Sequence, residues 1–278
     1  MQGGKSHAKN FFSCFKHNMR IASVDNNNHY NYKSPNFTAW KRTVYKEMKN
    51  WDFERVMKHR NDTWFCREGF QNGAIYNHLM EKFKDVDKVN TYFFGCSNGC
   101  EVYTFLNELF AKSDKNTINK FTPIYAIDYD PIAIMNAIHS VYPVEDHEIL
   151  NLEECHGQKV TENFNVIYDT KNSNIINYII PKQKLRNCVK FRIGDITKDY
   201  WKIRPNNTLV FARNMWPYLD TRKVHEIAKN LYNSMGENSS LIIGEYDPVG
   251  LRWNNIDYTQ LFTQAGFKET ESSIIFEK

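Results

Sequence analysis

The chain has 278 residues, 41% hydrophobic and 24% charged, which is typical of a globular protein with a substantial core. Its 36 basic and 32 acidic residues leave a net charge of +4, a bias too weak and too scattered to indicate nucleic-acid binding. No apolar run approaches the roughly 18 residues that span a bilayer, and no signal peptide is visible, so we expect a soluble protein without membrane contact.

The N-terminal third differs in pattern from the rest of the chain. Residues 1–35 are rich in Asn, Lys, His and Ser, which indicates a loop. Apolar residues at helical spacing predict helices over 38–60 and 71–83. We therefore expect a helical N-terminal extension over 1–85 and the main domain over 86–278.

From Thr91 onwards, apolar strands alternate with amphipathic helices. The predicted strands are 92–94, 124–127, 189–193, 209–212, 241–244 and 273–276. Residues 145–188 interrupt this pattern as a polar excursion with short helices. Strands separated by helices of about 10–15 residues predict an α/β, Rossmann-like fold with a mostly parallel sheet and an antiparallel last strand. Ligands of such sheets bind at the carboxyl ends of the strands.

The six cysteines are irregularly spaced, which does not indicate a disulfide framework, so we expect reduced thiols and a cytoplasmic protein. Cys96 and Cys100 are four residues apart and could form a metal-binding pair. Because no second pair of Cys or His follows at finger spacing, the sequence predicts no metal site.

A glycine loop follows the first predicted strand. Gly95 and Gly99 permit a tight turn and a close approach of the backbone to a ligand, and the helix behind them offers free amide groups. The spacing is not the G-x-G-x-x-G of dinucleotide sites, and an ordinary tight turn has the same pattern. The loop residues that we assign to a cofactor are Gly95, Cys96, Ser97 and Glu101.

The second strand ends at an acidic residue. Asp128 can accept two hydrogen bonds from a ribose diol, with Tyr129 beside it. A helix cap is the alternative role for an acidic residue here, and Asp130 before Pro131 suits that role. We therefore assign the ribose to Asp128 and the cap to Asp130.

Two further strand ends carry candidate cofactor-binding residues. Asp195 can meet an adenine amino group while Ile196 packs on the ring, although a polar turn is the alternative. The segment 213–218 puts an amide, an aromatic ring and a phenol at the same edge. The order of these features is the order that an S-adenosylmethionine site requires. The glycine spacing argues against the competing nicotinamide-dependent oxidoreductase.

Five segments in chain order also carry a family resemblance. They are 61–67 (NDTWFCR), 95–104 (GCSNGCEVYT), 126–130 (AIDYD), 185–191 (LRNCVKF) and 213–218 (RNMWPY). This set resembles the CheR-type protein-glutamate O-methyltransferases of bacterial chemotaxis. The resemblance implies a class I methyltransferase fold and S-adenosylmethionine as the cofactor.

The resemblance also implies roles for individual residues. Arg67 would lie near the methionyl carboxylate, Asp128 at the ribose and Asp195 at the adenine, while Asn214 would lie near the methionyl end and Tyr218 near the transferring methyl. The cofactor-binding residues outside the glycine loop would be Asn61, Thr63, Arg67, Asp128, Tyr129, Asp195, Ile196, Asn214 and Met215.

Some positions depart from the family pattern. Cys100 replaces the first Glu of a Glu-Glu pair while Glu101 is kept, and Asp195 stands where relatives usually have Asn. Residues 214–245 leave no room for the small β-subdomain with which some relatives grip a receptor tail. These departures bear on the chemoreceptor substrate more than on the cofactor.

The sequence therefore predicts a methyltransferase that O-methylates a carboxylate, on a protein glutamate or a small acid. A carboxylate is ionised at neutral pH and needs no general base, and the motifs offer none. Tyr218 would orient the acceptor, and Arg213 would attract or pair with its negative charge. The alternative is a protein that binds S-adenosylmethionine or S-adenosylhomocysteine without transferase activity, and nucleic acid is a less favoured acceptor.

Overall fold

The computed structural model describes residues 64–67, 69–168, 177–245, 247 and 256–278. Asn61, Thr63 and the helix expected over 38–60 lie outside the described residues. The strands are β1 (Asn90–Phe94), β2 (Ile124–Asp128), β3 (Tyr142–Val144), β4 (Phe164–Tyr168), β5 (Asn177–Pro181), β6 (Val189–Ile193), β7 (Thr208–Phe211), β8 (Ser240–Ile242), β9 (Lys268–Glu269) and β10 (Ile275–Glu277). The helices are α1 (Ala74–Lys82), α2 (Cys100–Lys112), α3 (Lys115–Phe121), α4 (Pro131–His139), α5 (Asp146–His156), α6 (Gln183–Arg186), α7 (Ile196–Asp199), α8 (Val224–Ser234) and α9 (Tyr258–Ala265).

The main sheet has seven strands in the order β6-β2-β1-β7-β8-β10-β9. The five strands from β6 to β8 run parallel, and β10 runs antiparallel to both of its neighbours. This confirms the predicted α/β, Rossmann-like fold with a mostly parallel sheet and an antiparallel last strand. The chain leaves β1 towards β2 and returns to pair β7 on its other side, so the topology switches between β1 and β7, where such sheets bind ligands.

An aromatic core fixes α2 against the middle of this sheet. The rings of Phe93 on β1 and Phe211 on β7 stack with centroids 4.1 Å apart, and Phe105 of α2 packs against both. The first ten residues of α2 are all buried, so this helix is central rather than peripheral. Its N-terminus is thereby held directly behind the glycine loop at the switch point.

A second sheet lies in the stretch that we expected to be a polar excursion with short helices. The strands β3, β5 and β4 form an antiparallel sheet in that order, and α5 precedes β4. The expectation about a small β-subdomain concerned residues 214–245 alone, whereas this small sheet lies elsewhere in the chain. The strand pattern of its sequence is weak because β3 has only three residues, with the exposed Pro143 in the middle.

Among the described residues, the longest helix has 13 residues, and none has the length and apolarity that a membrane crossing requires.

Candidate functional site

The glycine loop turns through left-handed backbone between β1 and α2. Gly95, Ser97 and Gly99 have φ values of 66°, 50° and 87°. A Cβ on Gly99 would lie 3.0 Å from the Phe191 ring, so a side chain there would force the ring to shift and would also strain the left-handed backbone. The turn leaves the first amides of α2 at the carboxyl edge of the sheet, where a helix N-terminus offers unsatisfied donors.

Asp128 fastens this loop to the end of β2. Its Oδ2 accepts from the backbone N of Ser97 at 2.7 Å, and its Oδ1 accepts from the backbone N of Asp130 at 2.8 Å. Burial raises the pKa of Asp128 to about 6, although the amide donors act in the opposite direction. Asp130 caps α4 by accepting from the backbone N of Ile132, as the sequence predicted.

Asp195 ends β6 and caps the short helix α7. Its Oδ1 accepts from both the backbone N and the hydroxyl of Thr197, at 2.9 and 2.7 Å. Ile196 beside it is buried. The polar-turn role considered for Asp195 is therefore present, and a contact with adenine stays a prediction.

The side chain of Arg213, which follows β7, makes its contacts inside the protein. Its Nη1 contacts the carboxylate of Glu101, its Nε donates to the Ile243 carbonyl at 3.3 Å, and its guanidinium lies 5.3 Å from the Phe70 ring centroid. Arg213 is only 4% exposed. The prediction that Arg213 directly contacts a negatively charged acceptor must therefore be corrected, because the charge of Arg213 is compensated by Glu101 and shielded from solvent.

Asn214 lies between β7 and β8 with φ at 53°. Its backbone N donates to Asp247 Oδ2 at 2.6 Å, and the backbone N of Gly244 donates to the same oxygen at 2.8 Å. A Cβ on Gly244 would lie 2.0 Å from Asn214 Oδ1, so this glycine makes room for the amide. Burial raises the pKa of Asp247 to about 7.

Asp247 is a site residue that the sequence reasoning missed. It follows β8 at the same edge of the sheet as Asp128 and Asp195, so the rule that assigned the other strand ends also applied to it. The signal was weaker because Asp247 lies five residues beyond the end of β8 rather than at the strand end itself.

The structure also describes the surroundings of the remaining predicted residues. Met215 packs over the loop, since a Cβ on Gly95 would lie 3.1 Å from its sulfur. The guanidinium of Arg67 stacks over Trp64 at 4.2 Å from the ring centroid. Tyr129 and Tyr218 are exposed, by 36% and 54%.

Both cysteines of the glycine loop are buried and uncharged. Burial raises the pKa of Cys96 and of Cys100 well above that of a free thiol. The backbone N of Cys100 donates to Asn98 Oδ1 at 3.1 Å. Cys100 therefore brings no negative charge to the position where relatives carry the first Glu, and Glu101 is the carboxylate that remains.

Several buried polar atoms at this edge have no partner within the described part of the chain. They are Ser97 Oγ, Arg67 Nε and both polar atoms of the Asn214 amide. Unpartnered buried polar groups are uncommon in proteins, and a bound ligand is one way in which their hydrogen bonding is completed. These donors and acceptors fit the amino-acid and ribose groups of S-adenosylmethionine.

Comparison with known proteins decides the family. The family model described as the SAM-binding domain of CheR methyltransferases matches residues 61–264, which is most of the chain. The chain belongs to this family. A chemotaxis protein methyltransferase of Borreliella burgdorferi is 26% identical to it over 205 residues, covering 71% of this chain and 68% of that relative. The protein is accordingly a CheR-type, S-adenosylmethionine-dependent methyltransferase, and nothing favours the hypothesis of a binding protein without transferase activity.

Solved methyltransferase structures also match this CheR-type chain. A TehB-like SAM-dependent methyltransferase of Corynebacterium glutamicum matches with a TM-score of 0.37 and 11% identity, covering 86% of this chain and 99% of that one. An O-methyltransferase family 2 protein of Planctomyces limnophilus, in complex with apigenin, matches with a TM-score of 0.39 and 13% identity, covering 69% and 50%.

Proposed function

We propose that this enzyme methylates a carboxylate oxygen of a protein acceptor and so forms a methyl ester. The observation that carries the proposal is the absence of His and Lys from the strand ends. The segments 95–101, 128–130, 194–196, 212–218 and 243–245, together with Asp247, contain neither His nor Lys. A carboxylate acceptor needs no base, because it is already ionised at neutral pH.

The buried carboxylates of the site are also unsuited to remove a proton. Glu101 is paired with Arg213, and Asp128 and Asp247 each accept two backbone amide hydrogen bonds. Each of these carboxylates is therefore already held by an ion pair or by backbone hydrogen bonds. An alcohol or amine acceptor would have to lose its proton to some other group, whereas a carboxylate would not.

Cofactor binding is assigned to the residues that the strand ends bring together. In this proposal Asp128 accepts from the ribose hydroxyls, Ile196 packs on the adenine with Asp195 beside it, and Asn214 binds the methionyl end. Glu101 balances the methionyl amine, and Arg213 acts through Glu101 by holding its carboxylate in place. Further contacts come from Asn61, Thr63, Arg67, Gly95, Cys96, Ser97, Tyr129 and Met215.

Bound S-adenosylmethionine supplies an electrophilic methyl group on a sulfonium sulfur. A carboxylate oxygen would accept this methyl group without losing a proton. The protein then contributes mainly by aligning the reacting pair. We assign that orientation to Tyr218, whose exposed phenol stands after β7 at the solvent side of the site.

A protein acceptor is supported by the similarity to a chemotaxis protein methyltransferase. The separate sheet of β3, β5 and β4 is consistent with it, since some relatives grip a receptor tail with a small β-subdomain. Within the described residues, β4 pairs on one side only and carries the exposed Ile167. Such an edge offers main-chain groups to an extended peptide.

The test is incubation of the full chain with S-adenosylmethionine labelled in the methyl group and a bacterial extract as the protein source. We expect labelled protein that releases volatile methanol in alkali, which is the behaviour of a methyl ester. Alkali-stable label would contradict the carboxylate proposal while leaving the methyltransferase intact. Label that appears on small acids but not on protein would contradict the protein acceptor.

The variant Asp128→Ala removes the proposed ribose contact. We expect it to lose both labelling and binding of S-adenosylhomocysteine in a calorimetric titration. Tyr218→Phe should keep cofactor binding and lower the rate of methyl transfer. Unchanged transfer by Tyr218→Phe would remove the orienting role from this hydroxyl.

A further inference from the structure

Two cysteines and a histidine from distant parts of the chain meet in the folded structure. Cys66 precedes Arg67, while Cys155 and His156 end helix α5. The sulfur of Cys66 lies 3.4 Å from His156 Nε2, and one ligand atom from each of the three residues lies within 4.8 Å of the others. Cys66 and His156 are buried and Cys155 is partly exposed.

The one sulfur–nitrogen distance that is resolved in this cluster is close to an edge of a zinc coordination tetrahedron. Zinc takes sulfur at about 2.3 Å and nitrogen at about 2.0–2.1 Å, which places a sulfur and a nitrogen ligand about 3.6 Å apart. The observed separation of 3.4 Å between Cys66 Sγ and His156 Nε2 is close to that value. Thiolate and imidazole are the ligands that a thiophilic divalent cation prefers.

We propose that Cys66, Cys155 and His156 bind a zinc ion, with water in the fourth position on the partly exposed side of Cys155. This site goes beyond the proposed methyl transfer, because none of its ligands takes part in cofactor binding. It also departs from the expectation of no metal site, which was based on Cys96 and Cys100.

Zinc is bound by thiolates rather than thiols, so binding releases the thiol protons of Cys66 and Cys155 to solvent. Glu108 of α2 is fully buried nearby, and its Oε1 forms an ion pair with Lys112 at 2.9 Å, so its charge is already balanced within the protein.

The position of the ligands suggests what the ion does. Cys66 is held by its backbone N, which donates to the hydroxyl of Thr104 on α2 at 3.1 Å. His156 belongs to the inserted unit that contains the second sheet. A bound zinc therefore joins two parts of the chain, the segment that carries Arg67 and the insertion, and the first of these is hydrogen bonded to the central helix.

The experiment is a cobalt and zinc titration of the full chain, kept reduced with a thiol-free reductant after treatment with a chelator. Cobalt gives strong visible absorption in a tetrahedral site with thiolate ligands, and zinc should bleach it at one equivalent. We also expect zinc to raise the melting temperature, because a ligand that binds only the folded state stabilises it. Absence of the cobalt absorption in the reduced protein would overturn the site.

The variants Cys155→Ser and His156→Asn should each weaken zinc binding by about 100-fold or more, since even second-shell changes cost about 10–100-fold. The matched control is Cys188→Ser, a thiol of similar burial whose sulfur contacts the Lys184 carbonyl instead. Equal zinc affinity in all variants would contradict the assignment, as would a Cys66–Cys155 disulfide whose reduced form binds no metal. Wild-type cobalt spectra keep the test decisive if a variant misfolds.

Discussion

At the scale of single residues, the proposed ribose contact of Asp128 would link cofactor binding to pH. Burial raises the pKa of Asp128 to about 6, and in that proposal the ionised carboxylate accepts from both ribose hydroxyls. We therefore expect the affinity for S-adenosylhomocysteine to be constant above pH 7 and to fall by about tenfold for each pH unit below 6. Calorimetric titrations between pH 5 and pH 8, a range we choose to bracket that pKa, measure this slope.

The variant Asp128→Asn separates this titration from other effects. It should bind more weakly at pH 8 and show a flatter pH profile. Asp114→Asn is the matched control, since Asp114 caps α3 at an exposed position away from the strand ends. A pH slope that persists in Asp128→Asn would mean that a different group controls binding.

The second feature at the scale of residues is the ion pair between Arg213 and Glu101, which we expect to stabilise the folded protein. Both side chains are buried, so removing one partner leaves an uncompensated charge in the interior. We expect Glu101→Gln and Arg213→Met each to lower the free energy of unfolding by about 3–5 kcal/mol. Urea denaturation of both single variants and of the double variant measures the loss.

The double variant provides the internal comparison. Because it removes both charges together, its loss should be smaller than the sum of the two single losses. Strictly additive losses would show that the two side chains do not depend on each other, and would remove the positioning role that we assign to Arg213.

At the scale of elements, one buried amide fastens the inserted unit to the central helix. Asn107 of α2 accepts through Oδ1 from Asn163 Nδ2 at 2.6 Å and from Gln158 Nε2 at 3.1 Å. Asn107→Leu would leave the buried Asn163 donor without a partner, which costs about 1–3 kcal/mol. We expect faster amide hydrogen exchange in β4 and β5, with little change in β1 and β2.

Asn116→Leu serves as the control, because Asn116 is exposed on α3. It should leave exchange in both sheets unchanged. If Asn107→Leu accelerated exchange equally in β1, β2, β4 and β5, the insertion would unfold together with the main sheet and would not be a separate cooperative unit.

At the scale of the whole molecule, sequence patterns predicted the features that repeat locally. The alternation of strands and helices and the polar residues at strand ends are visible without any long-range information. The strand ends at Asp128 and Asn214 were found because the carboxyl ends of parallel strands share one edge. The cap at Asp130 was found because it depends on neighbours two residues away.

The rest depends on contacts between residues far apart in the chain. The ion pair of Glu101 and Arg213 joins residues 112 positions apart, so neither residue shows locally that its charge is buried. The metal cluster joins Cys66 to Cys155 and His156 across about 90 residues, whereas sequence motifs find metal sites by short spacing. The second sheet was missed because its strands are short and separated by a helix and loops.

Asp247 makes the stability of the cofactor-free protein depend on pH. Burial raises its pKa from 3.8 to about 7, so the folded state binds a proton more tightly than the unfolded state between these values. Stability from this group is therefore present at low pH and is lost as pH rises from about 4 to about 7.

Asp247→Asn keeps an acceptor for the Asn214 and Gly244 amides but cannot ionise. Relative to wild type, the variant should gain stability on the order of 4 kcal/mol across this window, from about 1.4 kcal/mol per pKa unit. Urea denaturation at several pH values measures the difference, with the exposed Glu245→Gln as a control that should parallel wild type. Parallel curves for wild type and Asp247→Asn would contradict the raised pKa and would mean that this carboxylate is hydrated in solution.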